Sequence, residues 1–91
     1  MTKYEKIAEI LKVLGHPIRL QIVEGILLNE CNVSKIQNKM NLPQATVSQH
    51  MSLLKRVGIV RSSRHGNELC YKVSSAFVKA LIPIIKEVKE K

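Results

Sequence analysis

Apolar positions recur at helical spacing through the first half of this 91-residue chain and again near its end. The first stripe consists of Ile7, Ile10, Leu11 and Leu14. Residues three and four positions apart share one face of an α-helix, so this spacing predicts an amphipathic helix. Thr2 and Glu5 have the spacing of a capping box, and Gly15 is expected to end the helix after about residues 3–14.

Three more helices are predicted before Gly58. Pro17 suits the first turn of the second helix. The apolar side of that helix consists of Ile22, Val23, Ile26 and Leu27. Ser34 is expected to cap a short third helix, and a break at residues 41–43 separates it from a fourth helix over about residues 43–57. Two helices joined by a turn of three or four residues are typical of a helix-turn-helix.

Two short strands and a final helix are predicted after the fourth helix. Residues 59–64 and 69–73 have strand composition, with turn-forming residues between them, and would form a hairpin wing over about residues 59–73. Ser75 is expected to cap a last helix over about residues 75–90, kinked at Pro83. The predicted fold class is mainly α with a small β-hairpin wing. We predict that residues 1–91 form a single winged helix-turn-helix domain with five helices.

The segment from Cys31 to Asn67 contains no aspartate or glutamate. Its cations are Lys35, Lys39, Lys55, Arg56, Arg61 and Arg64. An ordered segment with cations and no acids is suited to contact a polyanion such as DNA. The net charge of +8 also fits nucleic acid or an anionic membrane surface, so charge alone does not decide between them.

Length and composition limit the other possibilities. A chain this short buries a modest core and often gains stability by oligomerising, so we expect a dimer. The sequence has neither a signal-peptide pattern nor an uninterrupted apolar span of transmembrane length, so we expect a cytoplasmic protein without a membrane partner. Its two cysteines, Cys31 and Cys70, are too few for a secreted disulfide framework.

Four stretches of the sequence resemble the ArsR/SmtB winged helix-turn-helix repressors of bacteria and archaea. They are residues 11–20 (LKVLGHPIRL), 42–51 (LPQATVSQHM), 54–60 (LKRVGIV) and 66–73 (GNELCYKV). The resemblance covers nearly the whole chain. It implies a homodimer joined through the first and last helices. Such a dimer binds double-stranded DNA at an imperfect palindromic operator and leaves it when a small inducer binds.

The expected DNA contacts follow from placing the fourth helix in the major groove. The residues expected to contact bases or phosphates from this helix are Gln44, Ala45, Thr46, Ser48, Gln49 and Ser52. Lys35, Lys39 and Lys55 are expected to contact flanking phosphates, and Arg61, Arg64 and His65 to bring the wing to the DNA. The alternative for this set is an ordinary solvated surface.

No metal site and no cofactor are predicted. Metal-sensing relatives carry a Cys-x-Cys pair at the start of the third helix, where this chain has Asn32 and Ser34. Relatives that bind zinc between their last helices need histidine and carboxylates there, whereas residues 75–91 offer only Glu87 and Glu90. The identity of an inducer therefore stays open.

Cys31 and Cys70 are the candidate sensor thiols. The segment before the third helix normally pairs with the second wing strand, which would make the two residues neighbours. Strand alternation argues against contact between the sulfurs, because Leu69, Tyr71 and Val73 are expected to face the core and Cys70 the opposite side. Three alternatives remain: packing residues without a partner, a thiol switch responding to oxidant, persulfide or sulfide, and capture of a soft metal or arsenite.

Two other classes of function are weaker. A small thiol-redox enzyme would need supporting chemistry, but the sequence has no Cys-x-x-Cys, glycine-rich phosphate loop or clustered carboxylates, and no catalytic residue is predicted. A membrane-surface or protein-interaction module is suggested by the basic, amphipathic last helix. Burial of its apolar stripe in a dimer explains that helix better.

Overall fold

The computed structural model describes residues 1–28 and 33–90, and its helices and strands confirm the predicted fold class. The described elements are α1 (Lys3–Leu14), α2 (Pro17–Leu28), α3 (Val33–Met40), α4 (Gln44–Arg56), β1 (Val60–His65), β2 (Glu68–Val73) and α5 (Ala76–Lys86). The strands form an antiparallel hairpin in which Val60 pairs with Val73 and His65 with Glu68. None of the described helices is both long and apolar enough to span a bilayer.

Helix α2 is the centre of the molecule and packs against α1, α3, α4, α5 and β2. Its Ile22, Val23 and Ile26 are buried in one apolar cluster with residues of α4, the hairpin and α5. Burial of each such side chain contributes about 1.5 to 3 kcal/mol to folding. At Gly25, an added Cβ would lie 3.0 Å from the Ile36 side chain, so glycine allows α3 to pack closely on α2.

The turn between α3 and α4 is fixed by a left-handed residue. Asn41 has φ of 55°, its N–H donates to the Asn38 carbonyl at 3.2 Å, and the Leu42 N–H donates to the Gln37 carbonyl at 3.4 Å. This is a Schellman arrangement, in which asparagine is the usual substitute for glycine. Pro43 then holds the N-cap position of α4, so the turn of a helix-turn-helix occupies residues 41–43.

α4 ends with the same Schellman arrangement, and the chain then enters the wing. Gly58 has φ of 80° and donates to the Lys55 carbonyl at 3.1 Å, while Ile59 donates to the Leu54 carbonyl at 3.0 Å. The Ser74 hydroxyl donates to the Gly58 carbonyl at 3.0 Å, which joins this turn to the far end of β2. The direction in which the wing leaves α4 is therefore fixed by hydrogen bonds on both sides.

Several element boundaries differ from the sequence prediction. α3 begins at Val33, so Ser34 lies in its first turn rather than before it. Ile59 precedes β1, where its carbonyl accepts from the Ser74 N–H. α5 ends at Lys86 rather than near residue 90, because Val88, the remaining apolar residue, is exposed and supplies no core contact.

Two apolar faces were also misassigned. In α1 the buried residues are Ile10, Val13 and Leu14, whereas Leu11 is exposed. In β2 the expected core face was wrong: Cys70 and Val73 are buried, Tyr71 is half-buried and Leu69 is exposed. The hairpin extends beyond the body of the protein, so residues near its turn have no core to contact on either face.

Candidate nucleic-acid interface

Helix α4 separates an apolar face from an exposed polar face. Val47, Met51 and Leu54 are buried in the core. The exposed residues on the other side are Gln44, Ala45, Ser48, Gln49 and Ser52, and Thr46 is half-buried. Glutamine presents a donor and an acceptor side by side, which matches the major-groove edge of adenine, and serine can reach bases or phosphates. Five of the six predicted contact residues of this helix therefore lie where a groove could receive them.

The start of α4 has features that favour contact with phosphate. Pro43 makes no side-chain capping hydrogen bond, and the first turn contains no acidic residue. The first backbone N–H groups of a helix have no acceptor within the helix and carry its partial positive charge. The N–H groups of Gln44 and Ala45 thus lack an acceptor within the helix, at the end that would enter a major groove first.

A shallow groove runs beside this helix, between α3, α4 and β2. Its polar lining includes Ser34 and Gln37 from α3 and Gln44 and Ser48 from α4, and Tyr71 closes it from the wing. Ser34, Gln37 and Tyr71 are not among the contact residues predicted from the sequence. For Ser34 and Gln37 the only sequence signal is a polar side chain on α3, and for Tyr71 there is none until the fold brings β2 beside α4.

The predicted phosphate contacts surround the polar face of α4. Lys35 and Lys39 are exposed on α3, and Lys55 is exposed at the C-terminal end of α4. Arg61 and Arg64 are exposed along β1. Each side of α4 therefore carries cations that could neutralise a phosphate backbone.

The tip of the wing carries the remaining predicted contact, His65. It is exposed, pairs with Glu68 across the hairpin and lies 3.2 Å from the Ser63 hydroxyl through its Nε2. Glu68 is the first acid after the acid-free segment. The tip is therefore less basic than the length of β1 that holds Arg61 and Arg64.

The two other histidines have structural positions. His16 Nδ1 accepts the N–H of Ile18 at 3.1 Å, so this side chain caps the start of α2. The His50 ring lies on the inner side of α4 with its centroid 4.9 Å from that of His16. Burial, followed by the nearby His16 and Arg19, lowers the pKa of His50 from its ordinary value. His50 is thus a packing residue.

Of the two candidate sensor cysteines, only Cys70 lies among the described residues. Its side chain is fully buried in β2, opposite Ser63, and it is disulfide-bonded. Cys31 is the only other cysteine in the sequence and lies outside the described residues. No group of three or more metal-binding side chains occurs within residues 1–28 and 33–90.

Comparison with known proteins identifies the family of this chain. The model of the ArsR family of bacterial regulatory proteins matches residues 16–62. An uncharacterised HTH-type transcriptional regulator of Methanocaldococcus jannaschii, MJ1325, is 38% identical over 97% of this chain and 100% of its own length. The transcriptional repressor PagR of Bacillus anthracis is 34% identical over 90% of this chain and 83% of its own.

Solved structures of relatives have the same architecture. Reduced HlyU from Vibrio cholerae superposes with a TM-score of 0.85 at 31% identity, covering 97% of this chain and 93% of HlyU. The homodimeric winged helix-turn-helix DNA-binding domain of Mb0332 from Mycobacterium bovis gives a TM-score of 0.77 at 25% identity, covering 91% and 77% of the two chains. With the matched family model, these likenesses show that this chain is a transcriptional regulator of the ArsR family.

Proposed function

We propose that this protein is a dimeric, cytoplasmic, sequence-specific repressor that inserts α4 into the major groove of a palindromic operator and is released by an inducer. The observation that carries the proposal is the exposed polar face of α4, flanked by cations within a segment free of acids. PagR is named as a repressor, which favours repression. HlyU is named as an activator, so activation at some promoters is the alternative outcome.

Dimerisation is supported by the apolar surface that α1 and α5 expose. Leu11 of α1 is 46% exposed, and Ile84 of α5 is 63% exposed, with Val88 beyond it at 75%. Large aliphatic side chains exposed on helices mark a candidate site of association in a small protein, because burying them is favourable. A second copy of the chain would bury them and present two α4 helices about 34 Å apart, one helical turn of DNA.

The DNA-binding proposal is tested by fluorescence anisotropy on the DNA upstream of the protein's own gene. If about six to eight phosphates are neutralised by the dimer, log affinity should fall against log salt with a slope of about −5 to −7. A slope near zero would show that phosphates are not contacted. Lys55→Gln should reduce the magnitude of the slope by about one per half-site and weaken all duplexes alike.

Base contact is tested by the glutamines of α4. Gln44→Ala and Gln49→Ala should each weaken operator binding by about 1 to 3 kcal/mol and relax sequence preference at one position. Gln21→Ala is the matched control, because Gln21 is an exposed glutamine that lies on α2 and not on α4. Equal effects of all three variants would contradict the assignment of α4 as the reading helix.

We propose that Cys31 and Cys70 act as a thiol switch in this repressor. The disulfide-bonded state of Cys70 in the wing supports this, since β2 packs on α2 and lines the groove beside α4. Oxidation by hydrogen peroxide would form one S–S bond from two thiols, while the hydrogen peroxide accepts two electrons and two protons to give two waters. A coupling of about 1 to 3 kcal/mol between thiol state and DNA binding lowers operator occupancy several-fold.

The switch is tested by operator binding of the reduced and the peroxide-treated protein. We expect oxidant to weaken wild-type binding and to leave Cys31→Ser and Cys70→Ser bound. Release of the reduced wild type by arsenite would favour soft-metal capture instead. Equal binding of every form would show that the cysteines are structural. The alternative of a thiol-redox enzyme has no counterpart among the relatives described above, which are transcriptional regulators.

A further inference from the structure

A cleft with a volume of about 500 Å³ lies on the side of α4 away from the groove, where α1, α2 and α4 meet. Ligand pockets for small molecules typically have volumes of about 300 to 1,000 Å³. The cleft is lined by Glu9, Lys12 and Val13 of α1, Arg19 of α2, and Leu53, Arg56 and Val57 at the end of α4. It is separate from the predicted DNA-contacting residues.

The charges around this cleft are unbalanced. Lys12, Arg19 and Arg56 are cations, and Glu9 is the only acid among the described residues that line it. A cleft with excess positive charge attracts anions.

The side chain of Arg19 gives the strongest evidence for an anionic ligand. Its Nε is buried and has no hydrogen-bond partner within the described part of the chain. Buried polar groups in native proteins nearly always have a partner, and an unpaired charged donor is costly. Guanidinium is also the group best shaped to bind a carboxylate through two parallel hydrogen bonds. Arg19 therefore has an unpaired donor at the wall of the cleft, and its guanidinium is the group there that could hold a carboxylate.

The apolar residues that line the cleft indicate the chemistry of the rest of such a ligand. Val13, Leu53 and Val57 are apolar and lie beside the cations. An inorganic anion would leave these side chains without contact, whereas an organic acid would bury apolar surface against them.

We propose that the cleft between α1, α2 and α4 binds a small organic carboxylate, with Arg19 and Arg56 binding the carboxylate and Val13, Leu53 and Val57 contacting its apolar part. The cleft is built from α1, which carries part of the exposed apolar surface, and from the C-terminal half of the recognition helix. A ligand there would set the position of α4 relative to the dimer partner. This effector role rests on the proposed function, whereas carboxylate binding does not.

Binding is tested on the intact protein without DNA, by calorimetric titration with benzoate and with benzamide, its neutral isostere. We expect benzoate to bind and benzamide to bind at least about tenfold more weakly, since a charge-assisted bidentate contact contributes about 1.5 to 3 kcal/mol. Arg56→Gln should weaken benzoate by a similar factor, and Arg19→Lys, which keeps the charge but loses the fork, should also weaken it. Lys6→Gln is the control, because Lys6 is an exposed cation of α1 that does not line the cleft.

Three results would overturn the site: no benzoate binding, equal binding of benzoate and benzamide, or unchanged binding in both arginine variants. Inorganic phosphate that binds as tightly as benzoate would contradict the apolar half of the proposal. The effector role is then measured as operator affinity with and without benzoate. Unchanged affinity would reject that role. A protein that binds no duplex in the absence of benzoate would instead reject the proposed function.

Discussion

His50 lies on the inner side of α4, and its ring contacts His16, the residue that caps α2. Burial is the main reason that its pKa lies below the ordinary 6.5, and the charges of His16 and Arg19 add to it. Protonation of His50 therefore disfavours the folded state. Of the three histidines, this one joins the recognition helix to the centre of the domain.

The pH dependence of stability follows from this shift. Well above pH 6.5 His50 is neutral in both the folded and the unfolded state, and it contributes no pH dependence. As pH falls below 6.5, the unfolded chain binds the proton first, so the free energy of unfolding decreases until the folded pKa is passed. We expect urea midpoints to fall between about pH 7.5 and 5.5 in wild type, and to fall less in His50→Gln.

His65→Gln is the control for this prediction, because His65 is an exposed histidine at the tip of the wing. It should retain the wild-type loss of stability. If His50→Gln lost as much stability as wild type over the same pH range, the pH dependence would not come from the inner face of α4.

At the scale of single elements, the C-terminal end of α4 depends on Gly58. Its φ of 80° is a conformation that L side chains rarely adopt, although an added Cβ would meet no atom within 4 Å. The cost of a side chain there is therefore backbone strain alone, about 1 to 2 kcal/mol for alanine. We expect Gly58→Ala to lower the thermal midpoint by several degrees, and Gly58→Asn to lower it less, because asparagine tolerates the left-handed region.

A midpoint for Gly58→Ala equal to that of wild type would contradict the left-handed turn between α4 and β1. Ser52→Ala on the exposed face of α4 is the control, and it should change stability by less than about 0.5 kcal/mol.

Most of the elements could be predicted from sequence because their ends carry local signals. Thr2 and Glu5 form the capping box that begins α1, and the Ser75 hydroxyl accepts from the Val78 N–H at the start of α5. Such caps depend on residues three positions apart, so sequence spacing reveals them. Residues Cys31 and Asn32, where the pairing of a segment with β2 was expected, lie outside the described residues.

The predictions from sequence failed for features that depend on tertiary contacts. Cys70 was expected to face away from the core because strand alternation assumes one buried face, whereas Cys70 and Val73 lie on opposite faces of β2 and both are buried. Arg19 has the sequence context of an ordinary helical cation. Its buried Nε and the cleft around it exist only after α1, α2 and α4 are assembled, so no local pattern could have indicated an anion site.

At the scale of the whole molecule, the exposed apolar side chains of α1 and α5 predict the quaternary state. Ile84→Glu places a charge on a side chain that is 63% exposed in one chain and is expected to be buried in the dimer. We expect sedimentation to show dissociation toward monomer. We also expect operator affinity to fall by more than about tenfold, because a monomer contacts only one half-site.

Leu28→Glu is the control for the dimer prediction, since Leu28 is 61% exposed at the end of α2, outside the proposed interface. It should remain dimeric. An Ile84→Glu protein that sediments as wild type would place the interface elsewhere.

Selection of bound duplexes from a random pool, followed by sequencing, tests the central claim most directly, because it requires no knowledge of the regulated genes. A dimer that reads DNA with two α4 helices should enrich an inverted repeat with half-site centres about 10 base pairs apart. In Gln49→Ala, at least one position of each half-site should lose its preference. A pool that stays random, or a motif unchanged by substitution in α4, would contradict recognition of DNA sequence by this helix.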